Sequence, residues 1–246
     1  MDRALYVAMT GAIQTLKSQT VNSHNLANAS TTGFKAELAA QQAVEVQGGG
    51  LPSRANTQLN GSGWDARMGA IQQTGRDLDV ALGQDRWLAV QAPDGSEAYT
   101  RAGELSLDVN GQLRTAAGHP VLGDGGPVSV PQNNSLMIGN DGGISVVPLG
   151  QGPETTASVA RLRVVEAMPE QLERGADGLM RAKDGQTLNP AAGNVLTSGA
   201  LESSNVNISE AMVNMIQLAR AFEMQTKLMR AAEDNAAAAS TLVRMG

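Results

Sequence analysis

Few side chains in this 246-residue sequence are of a type and spacing that could do chemistry. The two histidines, His24 and His119, lie far apart. Neither sits in an H-E-x-x-H, G-x-S-x-G, P-loop or G-x-G-x-x-G string that would add a metal partner, a nucleophile or a phosphate cradle. Histidine works as an acid or base only with an orienting partner in reach. His24 therefore reads as a polar helix residue, and His119, between Gly118 and Pro120, as a turn residue. Asp108-Val109-Asn110-Gly111 opens like a calcium loop, but Gln112 and Leu113 stand where further oxygen ligands should follow, so a hairpin turn explains it better. Glu233 and Asp234 are adjacent, and helix neighbours do not face each other, which makes them a solvated face. With no cysteine there is no disulfide and no thiolate metal site. The sequence implies no catalytic residue, no cofactor and no metal, and hence no enzyme.

Composition narrows the alternatives. A net charge of −6 without a run of five like charges argues against a nucleic-acid partner, which needs clustered Lys and Arg. Six aromatic residues in all leave a core built from Val, Leu, Ile, Ala and the 11 methionines, with soft packing expected. No apolar stretch is long enough to span a bilayer, so stable membrane insertion is not expected. The start, Met1 to Met9, has neither a basic flank nor a continuous apolar run, being broken soon after at Thr10, Gln14 and Lys17. The expectation is a protein that stays in the cytoplasm or is exported without a cleaved signal.

The elements that must position any functional surface follow from glycine and proline. Residues 1 to 47 hold no proline and only Gly11 and Gly33, and residues 201 to 245 hold neither type, whereas 22 of 28 glycines and eight of nine prolines fall in residues 61 to 200. This predicts an α+β chain: long N- and C-terminal helices, paired like a coiled coil, around a central antiparallel all-β domain. The first helix is expected from about Asp2 to about Asn28, with Leu5, Met9, Ala12 or Ile13, and Leu16 at the four and three spacing of a seam. Asn22, His24, Asn25 and Asn28 crowd its end, and Ala29 to Gly33 read as a stop, with Gly33 able to take positive φ and Phe34 following as an apolar contact. Asn207, with Glu210 three residues on, fits a capping box for the second helix. Its seam runs through Ile208, Met212, Met215, Ala219, Phe222, Thr226 and Met229, widened by Ile216 and Leu228. A helix over residues 208 to 245 would be about 57 Å long, so part of it must protrude or pack on something else.

Between the ends, Glu104 to Thr115 is read as a hairpin turning at Asn110-Gly111, a pair suited to a type I′ turn. Leu78 to Leu82, Trp87 to Gln91, Val128 to Val130, Leu136 to Ile138, Ile144 to Val147 and Val159 to Ala167 are further strand candidates. The expected organisation is a discontinuous helical assembly domain at residues 1–47 and 201–246, a linker or arm at 48–63, and a β-rich outer domain at 64–200. Periodicity alone leaves open a two-helix buttress on a monomeric β domain, whose loops at Pro93-Asp94-Gly95, Asp124-Gly125-Gly126 and Asp141-Gly142-Gly143 would hold a ligand.

Specific strings weigh against that alternative. Asn25-Leu26-Ala27-Asn28-Ala29-Ser30-Thr31-Thr32-Gly33-Phe34-Lys35 resembles the N-terminal signature of the bacterial flagellar rod and hook family. Gly199 to Asn207, with Met212-Val213-Asn214-Met215-Ile216 and Arg220-Ala221-Phe222-Glu223, resembles its C-terminal signature. Leu78 to Leu82, Ala98 to Arg101 and Asn110 to Leu113 extend the resemblance over nearly the whole chain. Met1 to Tyr6 and Gly118 to Pro127 are most similar to the proximal rod branch, with the distal rod branch as the alternative. Arg86-Trp87-Leu88 and Ala102 depart from the common pattern, which bears on subtype and local packing.

The resemblance implies a structural axial subunit of the basal body. Its paired helices would line an export channel and its β domain would form the outer layer of a hollow shaft crossing the periplasm and carrying torque. It implies export by the flagellar type III route, and partners that are other rod proteins and copies of itself. The implied subunit interface comprises Leu5, Met9, Ile13, Leu16, Asn25, Leu26, Asn28, Gly33, Phe34, Asn205, Val206, Ile208, Met212, Met215, Ile216, Phe222 and Met229.

Overall fold

The computed structural model describes residues 2–45, 55–150, 155–183 and 188–245. Helix and strand are mixed, and the chain divides into two compact units: Met1–Ala29 with Lys35–Asp65 and Val206–Gly246, and Ser30–Phe34 with Ala66–Asn205.

The first unit holds the helices α1 (Asp2–Ala27) and α2 (Ile208–Met245), of 26 and 38 residues, and the strands β1 (Glu37–Glu45) and β2 (Ala55–Trp64). Residues 55–63, read from sequence as linker or arm, belong to β2, which pairs antiparallel with β1 from Glu37 opposite Trp64 to Glu45 opposite Ala55. Residues 48–54 of that segment lie outside the described residues. Thr10, Thr15 and Thr20 fit inside α1 because each hydroxyl donates to the carbonyl four residues back, at 2.9, 2.9 and 3.0 Å. At the end of α1 the Asn28 side-chain amide donates to the His24 carbonyl at 2.9 Å. Asn207 caps α2, its Oδ1 accepting from the Glu210 N–H at 3.3 Å. The helices pack on each other: Asn22 Nδ2 donates to the Ala211 carbonyl at 2.8 Å, and Gly11 lies against Gln225.

The second unit is antiparallel throughout its described strand pairs. It contains β3 (Ile71–Gln73), β4 (Val80–Leu82), β5 (Arg86–Gln91), β6 (Glu97–Thr100), β7 (Leu105–Leu107), β8 (Leu113–Thr115), β9 (Leu122–Gly123), β10 (Gly126–Pro127), β11 (Asn133–Ile138) and β12 (Gly143–Pro148). β13 (Ala157–Arg161), β14 (Val164–Glu166), β15 (Leu172–Arg174), β16 (Met180–Ala182), β17 (Leu196–Ser198) and β18 (Ala200–Glu202) follow. One sheet has the order β14-β5-β6-β16-β15, a second β11-β12-β13, and two-stranded pairs join β7 to β8, β9 to β10, β4 to β17 and β3 to β18. The core is aliphatic: Val80, Leu82, Leu88, Val90, Leu105, Leu113, Val121, Ile144 and Val146 are among its buried members. Trp87 to Val90 are all buried, as expected of a strand covered on both faces, while β12 alternates with Ile144 and Val146 inward. The expected methionine-rich core is not found. Met180 is the one methionine buried among the described residues, so packing rests on branched aliphatics that hold their rotamers better. Burial, aided by the nearby Glu97 carboxylate, pushes the Tyr99 hydroxyl up to about 12.

The hairpin at β7–β8 is present but its turn is not type I′, which needs positive φ at both central residues. Of the two, Gly111 alone has it, at 75°. The Asp108 carboxylate decides the turn: Oδ1 accepts from the N–H groups of Asn110 (2.8 Å) and Gln112 (2.9 Å), and Oδ2 from Arg114 (3.0 Å). Those donors, Gln112 first, hold the Asp108 carboxyl below its usual range. Charge is divided unevenly between the units. The first carries eight basic and eight acidic residues, the second ten and sixteen, so the entire −6 falls on the second.

Candidate subunit interface

The row that packs the helices together is not the one with the largest side chains. On α1 the buried positions are Ala8, Ala12, Thr15 and Ser18, and on α2 Ala211. A Cβ on Gly11 would stand 3.0 Å from Gln225 Nε2. Small residues allow the two backbones to approach closely, and this row begins one position before the Met9, Ile13, Leu16 row, a rotation of about 100° around the helix. Met9, Ile13 and Leu16 are 42–46% exposed and Tyr6 60%. On α2, Ile208, Met212, Val213, Ile216, Met224 and Leu228 are likewise exposed at 51–60%. Leu5, Leu26, Met215, Phe222 and Met229 are half-buried. Of the interface residues expected from sequence on the helices, these five are thus partly covered within the chain, and Met9, Ile13, Leu16, Ile208, Met212 and Ile216 remain as apolar rows on the surface of the first unit.

The expected interface asparagines bond inside the chain. Asn25 behaves as a one-residue strand neighbour to the start of β1: its Nδ2 donates to the Glu37 carbonyl and its Oδ1 accepts the Glu37 N–H, both at 2.8 Å. His24 Nδ1 lies 3.3 Å from the Glu37 carboxylate. Asn205, in the second unit, donates its N–H to the Phe34 carbonyl at 3.3 Å and its Nδ2 to the Arg67 carbonyl at 2.9 Å. Phe34 is buried, with the Arg174 guanidinium 4.8 Å from its ring centre. Val206 is half-buried.

Gly33 has φ of 69°, and a Cβ there would meet the Arg101 carbonyl at 2.3 Å, so both conformation and space demand glycine. Its N–H donates to the Glu202 carbonyl at 2.8 Å. Glu202 and Arg101 form a buried pair, Oε2 to Nε and Nη2 at 2.6 Å each. Glu202 Oε1 accepts the Gly69 N–H at 2.9 Å. Arg101 also donates to the carbonyls of Leu82 (3.0 Å), Gly83 (3.1 Å) and Arg86 (2.8 Å), and it stands 5.5 Å from the Trp87 ring centre. Sequence reasoning places both residues within family strings and misses their partnership, because nothing local marks two residues 101 positions apart as a pair. The row of Ala8, Ala12, Thr15 and Ser18 does have a signal: small residues at helical spacing flanking Gly11.

Two of the three loop carboxylates of the alternative ligand-binding reading are engaged locally. Asp94 Oδ1 accepts from Ser96 N–H and hydroxyl, and Asp141 receives the Gly143 N–H and Arg161. Among the described residues no cluster of three or more His, Asp or Glu side chains is arranged to hold a metal, and no helix is long and apolar enough to cross a membrane.

Three family models match along the chain: a flagella basal body rod protein model at residues 5–35, a flagellar hook protein FlgE/F/G D1 domain model at 82–146, and a flagellar basal body rod FlgEFG protein C-terminal model at 197–242. Over its whole length the chain is 46% identical to the flagellar basal-body rod protein FlgF of Escherichia coli (strain K12) and 45% identical to that of Salmonella typhimurium (strain LT2), covering 100% of each. It is 32% identical to the flagellar basal-body rod protein FlgG of Buchnera aphidicola subsp. Schizaphis graminum, over 92% of this chain and 94% of that one.

Proposed function

The chain belongs to the flagellar basal-body rod protein family and is a structural subunit of the basal body rather than an enzyme, and from that premise we propose that it polymerises into the hollow proximal shaft, surrounding the export channel and transmitting torque. Other rod components are its partners, and in this reading copies of itself are too. Similarity to FlgF over the full length, against a lower identity to FlgG, favours the proximal over the distal position. The same reading makes the helix-bearing unit the assembly domain, with coiled-coil-like pairing, and the β-rich unit the outer domain. It has the subunit reach the periplasm by the flagellar type III route without a cleaved signal.

One observation carries the proposal: both helices keep apolar rows on the surface, Tyr6, Met9, Ile13 and Leu16 on α1 and Ile208, Met212 and Ile216 on α2, in a unit whose charges balance. Apolar rows favour close neighbours, and a neutral unit meets no net repulsion on stacking against its like.

Substituting Ile13→Asp together with Ile216→Asp tests this. Both positions are exposed in the single chain, so helix content and secretion should stay at wild-type levels. A desolvated carboxylate costs several kcal/mol, so assembly and swimming should be lost. Normal swimming with both aspartates in place would contradict the proposal.

A further inference from the structure

The backbone crosses the boundary of the β-rich unit four times: it enters from α1 at Ser30, leaves after Phe34, returns at Ala66 and leaves after Asn205. The last three crossings, the exits, are tied together inside that unit by two residues. Asn205 holds Phe34 through its own N–H (3.3 Å) and Arg67 through its side-chain amide (2.9 Å). Three residues earlier, Glu202 holds Gly33 through its carbonyl (2.8 Å) and Gly69 through Oε1 (2.9 Å). The Ser203 N–H adds a bond to the Ala70 carbonyl at 2.9 Å. Each exit is therefore gripped at two successive levels, and the lower level stands on the buried Arg101–Glu202 pair, which is itself bound to the carbonyls of Leu82, Gly83 and Arg86.

We propose that Asn205 is a positioning residue for torque transmission: by clasping the three exits at one point, it makes them share a twisting load that would otherwise fall on each segment in turn. A single connecting segment has two soft dihedrals per residue and turns easily about its axis. Three segments cross-linked by directional bonds must turn together. At the outermost level the Asn205 side-chain amide ties the third exit to the second, so removing that amide opens the clasp while the buried level beneath it stays closed. This rests on the rod reading above.

The test uses the full-length chain carrying Asn205→Ala or Asn205→Asp. Alanine removes the bond to Arg67, and aspartate keeps the shape while setting an acceptor against the Arg67 carbonyl. In the purified proteins, amide exchange at position 205, relative to its intrinsic rate, should quicken by roughly fivefold to tenfold, the change expected for one net hydrogen bond, with Gly69 in the closed lower level and Leu88 and Val90 in the core unchanged. In cells whose sole copy carries the variant, swimming in dilute medium should match wild type, and speed should fall below wild type as added polymer raises the viscosity, the load being shared by fewer bonds. Unchanged exchange overturns the clasp. Quicker exchange with wild-type speed at every viscosity overturns its role under load, and a variant that fails to assemble at all overturns it too, making Asn205 an assembly residue instead. Deleting the whole chain separates the two readings: if swimming survives deletion, the rod reading itself falls, and if it does not, any failure belongs to the clasp alone.

Discussion

Replacing Glu202 by glutamine is expected to destabilise the β-rich unit by about 3–5 kcal/mol, the cost of leaving one member of a buried ion pair without its partner. The new side chain would still accept from the Gly69 N–H, but its amide hydrogens would face the Arg101 Nε–H, and the guanidinium charge would stay buried. With a urea dependence of about 2 kcal/mol/M, the unfolding midpoint should drop by roughly 2 M. Arg101→Met should cost more, because it strands the Glu202 carboxylate and also removes the donors to the carbonyls of Leu82, Gly83 and Arg86. The decisive protein is the double variant Arg101→Met with Glu202→Leu. Many buried pairs can be exchanged for apolar residues without loss. Here the three carbonyls and the Gly69 N–H would lose these partners, so a deficit of at least about 2 kcal/mol should persist. Trp87, buried 5.5 Å from the guanidinium, reports the transition by fluorescence once Trp64 is changed to Phe. A double variant with the wild-type midpoint would refute the reasoning, since the pair would then be a dispensable ion pair and not an anchor for the surrounding backbone.

Three further outcomes are expected. Gly33→Ala should lower stability by more than Gly75→Ala: both sites have positive φ, which costs about 1–2 kcal/mol, but only at Gly33 would the new methyl meet backbone, at 2.3 Å, and urea titrations of the two variants measure the difference. Asn25→Ala should lose about 2 kcal/mol of local stability with its two bonds to Glu37, seen as faster amide exchange at Glu37, while Asn25→Asp, which keeps the acceptor, should lose less. On the acid side, Asp108 is held below the usual carboxylate range by the Gln112 N–H and Asp177 by the Arg181 guanidinium. Their contribution is therefore present above the unfolded value near 4 and is lost as pH falls through the lower folded values. On the alkaline side, Tyr99 is raised, so its contribution is full below about 10 and disappears as pH climbs toward 12; Tyr99→Phe should flatten that limb of a stability–pH curve.

Much of the fold is legible because glycine and proline punctuate the chain so unevenly. Both helices, the Gly33 turn and the Asn207 cap follow from patterns a few residues long. The helix seam is harder. A periodic search weights large apolar residues, and in α1 these occupy the row next to the one that packs; the buried row of Ala8, Ala12, Thr15 and Ser18 carries little hydrophobicity and is selected by close approach at Gly11. β2 reads from sequence as part of an arm because Asn56, Gln58, Asn60 and Gly61 lack strand character, and pairing with β1 overrides that propensity. The turn type at Asn110-Gly111 is decided by Asp108, two residues before the pair that suggests it. Arg101, Glu202 and Asn205 meet only through tertiary structure, and no spacing rule connects them.

The central claim is that the rows of Met9, Ile13 and Leu16 and of Ile208, Met212 and Ile216 are covered by neighbouring subunits in the assembled rod. A photo-crosslinking residue placed at Ile13, and separately at Met212, in cells building flagella tests it most directly. Adducts with rod subunits that vanish in cells blocked before rod assembly are the predicted result; both positions remaining free of adducts in fully flagellated cells would contradict the account.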